Sequence, residues 1–187
     1  MLASCADWPH VKGMSAPPST PPSSAAGSAP RPFWVDALIA VLPVVAVSAL
    51  GNAVTIPQVM TWYPTIAKPP FNPPNWVFGP VWTTLFLLMA YGVYRILRVP
   101  AGTPGKPQAL IAYHVQLALN LAWSCVFFGL NSPLGGVLVI VPFLAMILVT
   151  IALFARLDRL AANLQWPYVA WVSFATLLTV SIWRLNR

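Results

Sequence analysis

Between Asp36 and Lys68 no side chain carries a formal charge, and the same holds from Pro69 to Tyr94, from Pro107 to Ala155 and from Leu160 to Trp183. Runs of that length leave a chain few options. Soluble domains carry roughly 25% charged residues; here the figure is 7%, against 58% hydrophobic. Such a chain cannot cover a globular core with a hydrated surface. Five apolar stretches, at about 34–55, 76–96, 109–130, 134–155 and 164–184, each approach the roughly 20 residues that cross a bilayer core. Lipid offers backbone N–H and C=O groups no partner, so each stretch must be a helix. The predicted fold is all-α, an integral membrane bundle of five transmembrane helices forming one domain over residues 33–187. Tyr91, Tyr94, Tyr113, Trp166, Tyr168 and Trp183 fall near span ends, where an aromatic belt is expected. Residues 1–32, with the run SAPPSTPPSSAAGSAPRP, have no apolar periodicity and are expected to be a disordered tail.

The net charge is +7, from ten Lys and Arg against three acids. The basic residues stand singly at the ends of apolar runs, which suits snorkelling and topology rather than a phosphate-binding face. No nucleic-acid partner is expected. The tail and the second and fourth connections carry Lys12, Arg31, Arg95, Arg98, Lys106, Arg156 and Arg159, whereas the opposite side carries Lys68, Arg184 and Arg187. That imbalance predicts the N-terminus inside and the C-terminus outside. The short connection NSP at 131–133 makes the third and fourth spans antiparallel neighbours.

The interior is poor in reactive groups. No Asp or Glu lies within spans two to five, so a carboxylate relay lacks its parts. Two cysteines, Cys5 and Cys125, supply neither a disulfide framework nor a metal motif. His114 stands near the end of a span, where an axial haem ligand is a weaker reading than an interfacial side chain. No metal site is expected, and no firm catalytic residue emerges. The third span places Gln116, Asn120, Trp123 and Phe127 on one stripe by helical spacing. An amide at mid-membrane needs a partner, either another helix or a ligand. Ala118 and Ala122 on the same span form a small-xxx-small pair that permits close helix approach. The second span aligns Trp82, Phe86 and Met89, and the fifth aligns Tyr168, Trp171, Ala175 and Leu178. Three aromatic stripes around one or two amides suit a flat, apolar, conjugated ligand.

Between the first two spans lies KPPFNPPNWVFGPVW, residues 68–82, with five prolines and two tryptophans. Each proline fixes its own φ and restricts the residue before it. The segment is expected to be stiff and to fold back over the helix ends as a lid. Asn75 is the expected N-cap of the second helix, and Pro80, one turn inside, is expected to loosen or bend it.

WYPTIAKPPFNPPNWVFGPVWTTLFLLM, QLALNLAWSCVFFGLNSP and PYVAWVSFATLLTVSIWRLN resemble, in order, three signature stretches of the tryptophan-rich sensory protein/translocator protein family, also called peripheral-type benzodiazepine receptors. The resemblance runs from about Trp34 to Asn186. It implies a five-helix bundle, usually a homodimer, with a pocket closed by the loop between the first two helices. It implies porphyrins such as protoporphyrin IX, or haem, as ligands rather than as required cofactors. The implied ligand-binding residues are Tyr63 and Pro74 from the loop stretch, Trp82 and Phe86, Asn120 and Trp123, and Trp171 and Ala175. Trp82 and Trp171 match the tryptophans that the resemblance associates with light-dependent porphyrin breakdown in some bacterial members, the one catalytic role on offer. A carrier or receptor for porphyrin, a photo-oxidative enzyme and a docking protein with no small ligand are the three functional readings. Departures are visible. LLTVSIWR lacks the central tyrosine of the stretch linked to cholesterol in animal members, so cholesterol is not an expected partner. Phe71 replaces a tryptophan in the loop and is expected still to wall the pocket.

Overall fold

The computed structural model describes residues 31–187. The expectation for the tail, Arg31 and Pro32 apart, lies outside the described residues, as does Cys5. Helix α1 is Phe33–Thr61, α2 Phe78–Arg98, α3 Lys106–Ser124, α4 Pro133–Ala155, α5 Arg159–Asn163 and α6 Trp166–Leu185. Five stretches are long and apolar enough to cross a membrane, the fifth being α5 and α6 together over Arg159–Leu185. The all-α bundle expected from the charge-free runs is the one observed. Leu87, Ile111, Leu138, Val141, Leu148 and Leu177 turn outwards as apolar surface, as lipid-facing side chains do.

The helices pack in the order α1, α2, α5 and α6, α4, α3, with α3 returning to α1. Two ends can be distinguished. The end where α1 begins and α2 finishes is called the base; the end with the proline-rich loop is the lid end. At the base the charges meet. Asp36, 2% exposed, accepts from Arg98 at 3.1 Å and stands 3.7 Å from Arg31. Arg95 donates twice to one oxygen of Asp158, at 3.0 and 2.7 Å. The other Asp158 oxygen accepts from Ala161 N–H at 2.9 Å and so caps α5. Arg95 and this cap together hold the Asp158 carboxyl below its ordinary range, against the opposing effect of burial. The Lys106 ammonium donates to the Leu97 and Val99 carbonyls, occupying groups that the end of α2 leaves unpaired.

Several local expectations change. Helix α1 continues six residues beyond 55, through Pro57, to Thr61. Its last turns carry no charge, and a longer helix keeps more backbone satisfied in lipid. Asn75 is not a side-chain cap: it opens a 3-10 turn, Asn75–Val77, with no capping bond. Helix α2 therefore begins at Phe78, and Pro80 falls in its first turn, where N–H groups lack helical partners anyway. The expected bend has no lost hydrogen bond to cause it. Tyr113 and Tyr168 are fully buried rather than members of an interfacial belt, whereas Tyr91 and Trp166 are exposed. Helix rotation, invisible in span position alone, turns both tyrosines into the bundle.

The α3–α4 corner is tight. The last turn of α3, Cys125–Gly129, opens to π geometry, with Leu130 N–H reaching Cys125 O at 2.9 Å. Asn131 takes a left-handed φ of 50° and Ser132 accepts from Gly135 N–H at 3.1 Å, capping α4. A Cβ on Gly136 would come within 2.6 Å of the Phe127 ring, so the glycine is what lets α4 approach.

Candidate functional site

Inside the lid half, α1, α2, α3 and α6 surround a cavity of about 440 Å³. That lies within the usual 300–1,000 Å³ of small-molecule sites. Helix α4 contributes nothing to its wall. The wall is a chain of rings. Trp82 lies 5.4 Å from Phe86 and edge-on to Tyr168 at 6.2 Å. Phe78 meets Trp171 at 5.7 Å, and Trp123 stacks on Phe127 at 5.3 Å and 13°. Phe127 and Phe128, adjacent in sequence, both face the cavity and pack edge to face at 4.9 Å. The π turn that contains them changes the angle between successive residues, one way such turns serve sites.

Polar groups are few. Asn120 donates from Nδ2 to the Tyr168 hydroxyl at 2.7 Å, which ties α3 to α6 and leaves the amide oxygen without a protein partner. The amide is thus an interhelical link and a cavity-lining group at once. Tyr63 closes the lid end, donating to Asn72 Oδ1 at 2.6 Å. Burial pushes its phenol up to about 12, so it remains a proton donor at any physiological pH. Lys68 donates to the Tyr63 and Ile66 carbonyls at 2.7 and 2.9 Å, and sits 5.0 Å from the Tyr63 ring centre. Ala67 and Asn186 exchange two hydrogen bonds, each 2.9 Å, fastening the loop to the end of α6.

Tyr63, Trp82, Phe86, Asn120, Trp123, Trp171 and Ala175 all line this one cavity. Pro74 does not: it is exposed, and its neighbour Asn75 lines the wall instead. Phe71 also stays out of the lining. It is 44% exposed and packs edge-on against Phe174 at 6.4 Å, and neither ring lines the cavity. Gln116, one turn from Asn120 on the same stripe, is fully buried below the cavity, and neither of its amide atoms has a hydrogen-bond partner. His114 is turned outwards, with Nδ1 2.7 Å from its own helix at Leu110 O. Among the described residues no three His, Cys, Asp or Glu side chains converge on one point.

Sequence reading missed the face contributed by α1: Ser48, Gly51, Asn52, Thr55 and Val59. Its signal was available, since small and polar residues recur there at helical spacing within an otherwise aliphatic run. Gly51 lies on the α1 face that meets α3, where a Cβ would stand in ordinary contact with Ser124 Oγ at 3.7 Å.

Comparison with known proteins follows the same outline as the cavity-bearing domain. A family model described as the TspO/MBR family matches residues 39–184. The tryptophan-rich protein TspO of Chlorobaculum tepidum is 40% identical over 145 residues, 75% of this chain and 89% of that protein. The translocator protein of Homo sapiens is 36% identical over 157 residues, covering 83% and 93% of the two chains. The tryptophan-rich sensory protein of Cereibacter sphaeroides is 37% identical over 125 residues, covering 67% and 77%.

Proposed function

The chain belongs to the TspO/MBR family, and from that premise we propose that this membrane protein is a receptor or carrier for porphyrins, protoporphyrin IX or haem, held in the aromatic cavity of its lid half. The observation that carries this reading is the ring-walled cavity itself, with Trp82, Trp123 and Trp171 around the inner amide of Asn120, whose oxygen has no protein partner. Flat conjugated ligands gain most from stacked and edge-on rings, and a wall without fixed charges accepts their apolar faces at little desolvation cost. A lid already fastened by hydrogen bonds loses little entropy on binding. The excess of cations at the base, Arg31, Arg95, Arg98, Lys106, Arg156 and Arg159 against Lys68, Arg184 and Arg187 at the lid end, supports a base on the inner side of the membrane. A second copy of the chain packs on the outward stripe of α3, where Ala118 and Ala122 permit close approach; cross-linking in native membranes checks this.

Titration with protoporphyrin IX in the dark, followed by tryptophan quenching, tests the reading. Saturable quenching that weakens at least tenfold in Trp82→Phe and Asn120→Ala is expected. Weak linear quenching, the same in all three proteins, would mean partitioning into detergent and would leave the docking reading standing. Light-dependent porphyrin breakdown is the second reading, favoured by Trp82 and Trp171 facing the same cavity. Illuminated turnover lost in Trp171→Phe while dark quenching persists is its expected signature.

A further inference from the structure

The cavity does not open evenly. Six of its lining residues are exposed: Asn52, Ile56 and Met60 on α1, and Asn75, Gly79 and Thr83 at and just before the start of α2. None of the lining residues from α3 or α6 is exposed. Each trio is spaced i, i+4, i+8 and so forms one ridge along its helix. The two helices run in opposite directions, and equal steps along both from the Asp36–Arg98 contact bring Asn52 near the level of Thr83, Ile56 near Gly79 and Met60 near Asn75. Eight residues at 1.5 Å each make the gap between the ridges about 12 Å tall. It is a slot, and it faces lipid. Towards the base the same two helices are shut, with Ala40, Val44, Met89 and Val93 buried and Arg98 bonded to Asp36.

The other way into the cavity is through the lid, and that way is tied. Moving the loop off the helices breaks the paired Ala67–Asn186 bonds, while the Tyr63–Asn72 bond and the bonds of Lys68 to loop carbonyls stiffen the loop against opening piecemeal. Among the described residues no side-chain hydrogen bond or ion pair joins the two ridges of the slot, so passing between them breaks none. Asn52 adds a chemical clue. Its amide lies within an apolar span, is exposed, and makes no side-chain hydrogen bond among the described residues. An amide kept there without a partner is costly in lipid. Asn75 and Thr83 extend that polar rim along the facing ridge.

Taking the cavity as the porphyrin seat proposed above, we propose that the slot between α1 and α2 is a lateral doorway from the bilayer. It admits a flat amphiphile edge first, while Asn52, Asn75 and Thr83 hydrogen-bond the polar groups at the ligand's rim. A Cβ on Gly79 would meet nothing within 4 Å, so a side chain placed there starts in open space at the slot.

Gly79→Phe is therefore a plug and Asn186→Ala a loosened lid, with Thr83→Phe as a second plug should the first fold poorly. Two readouts in liposomes are compared across these variants. One is the rate of protoporphyrin IX association and dissociation by stopped-flow tryptophan quenching. The other needs no porphyrin: labelling of Ala175→Cys, in a Cys5→Ala/Cys125→Ala background, by a maleimide dissolved in the bilayer. The plugs are expected to slow association, dissociation and labelling at least tenfold, and Asn186→Ala to change each less than twofold. A lost wall contact would instead speed dissociation. Rates unmoved by either plug but raised by Asn186→Ala overturn the doorway and make the lid the route. If the parent protein binds no porphyrin, labelling still decides. Slowing by the plugs then keeps the doorway and removes the porphyrin reading, whereas unchanged labelling rejects the doorway.

Discussion

The two halves of this bundle are held together by different physics. At the base, Arg98, Arg31 and Asp36 link α1 to α2, Arg95 and Asp158 link α2 to the start of α5, and Lys106 covers the end of α2. Between these links the core is closed by fully buried side chains such as Ile96, Ile147 and Phe154. In the lid half the same helices diverge around about 440 Å³, and the contacts are ring edges and a loop fastened by hydrogen bonds. The difference teaches how a small membrane bundle keeps an internal cavity. Stability is concentrated at one end, which frees the other from close packing.

Substitutions on the two sides should separate accordingly. The largest effect is expected from Arg98→Ala, which leaves the buried Asp36 carboxylate with only Arg31 at 3.7 Å. Breaking a buried pair from one side costs about 3 kcal/mol or more, read as a loss of thermal stability in detergent. A change near zero would dissolve the comparison. Next, Ile96→Ala in the closed base should cost about 2 kcal/mol, mainly the cavity part of the usual penalty, because lipid rather than water is the alternative solvent. Phe86→Ala, half-buried on the cavity wall, should cost about half as much or less and appear chiefly as weaker porphyrin quenching. Equal costs would mean that the lid half is as tightly packed as the base.

A finer pair lies on one stripe of α3. Asn120→Leu removes the partner of the buried Tyr168 hydroxyl and should cost about 1 kcal/mol. Gln116→Leu removes an amide that has no partner to lose, and should be neutral or slightly stabilising. Reversal of that order would place Gln116 in a polar network bridging the base. The smallest effect concerns pH. The Asp158 carboxyl titrates below its ordinary value, so its contribution is present at neutral pH and above the ordinary carboxyl range. It is lost as pH falls through the depressed value. Asp158→Asn keeps a capping oxygen for α5 but removes the charge, and should flatten the acid limb of a stability-against-pH curve while shifting neutral stability little.

The sequence by itself determined the number of spans, their helical character and the resemblance that names the family. Lipid leaves backbone groups only one way to be satisfied, so a charge-free run of sufficient length is already a helix. It also aligned Trp82 with Phe86, Asn120 with Trp123, and Trp171 with Ala175, because helical spacing is a local property. What it could not supply is how far each helix is rotated and which helices stand side by side. That rotation took Tyr113 and Tyr168 out of the expected belt and into the core. It also turned the Ser48, Asn52 and Thr55 face of α1 towards the cavity. Pro74 and Phe71 were displaced from the wall by a loop path that its hydrogen bonds to Tyr63, Lys68 and Asn186 define. The cavity and its slot exist only between helices, set by ion pairs and side-chain packing across tens of residues, and no single stretch of the chain encodes them.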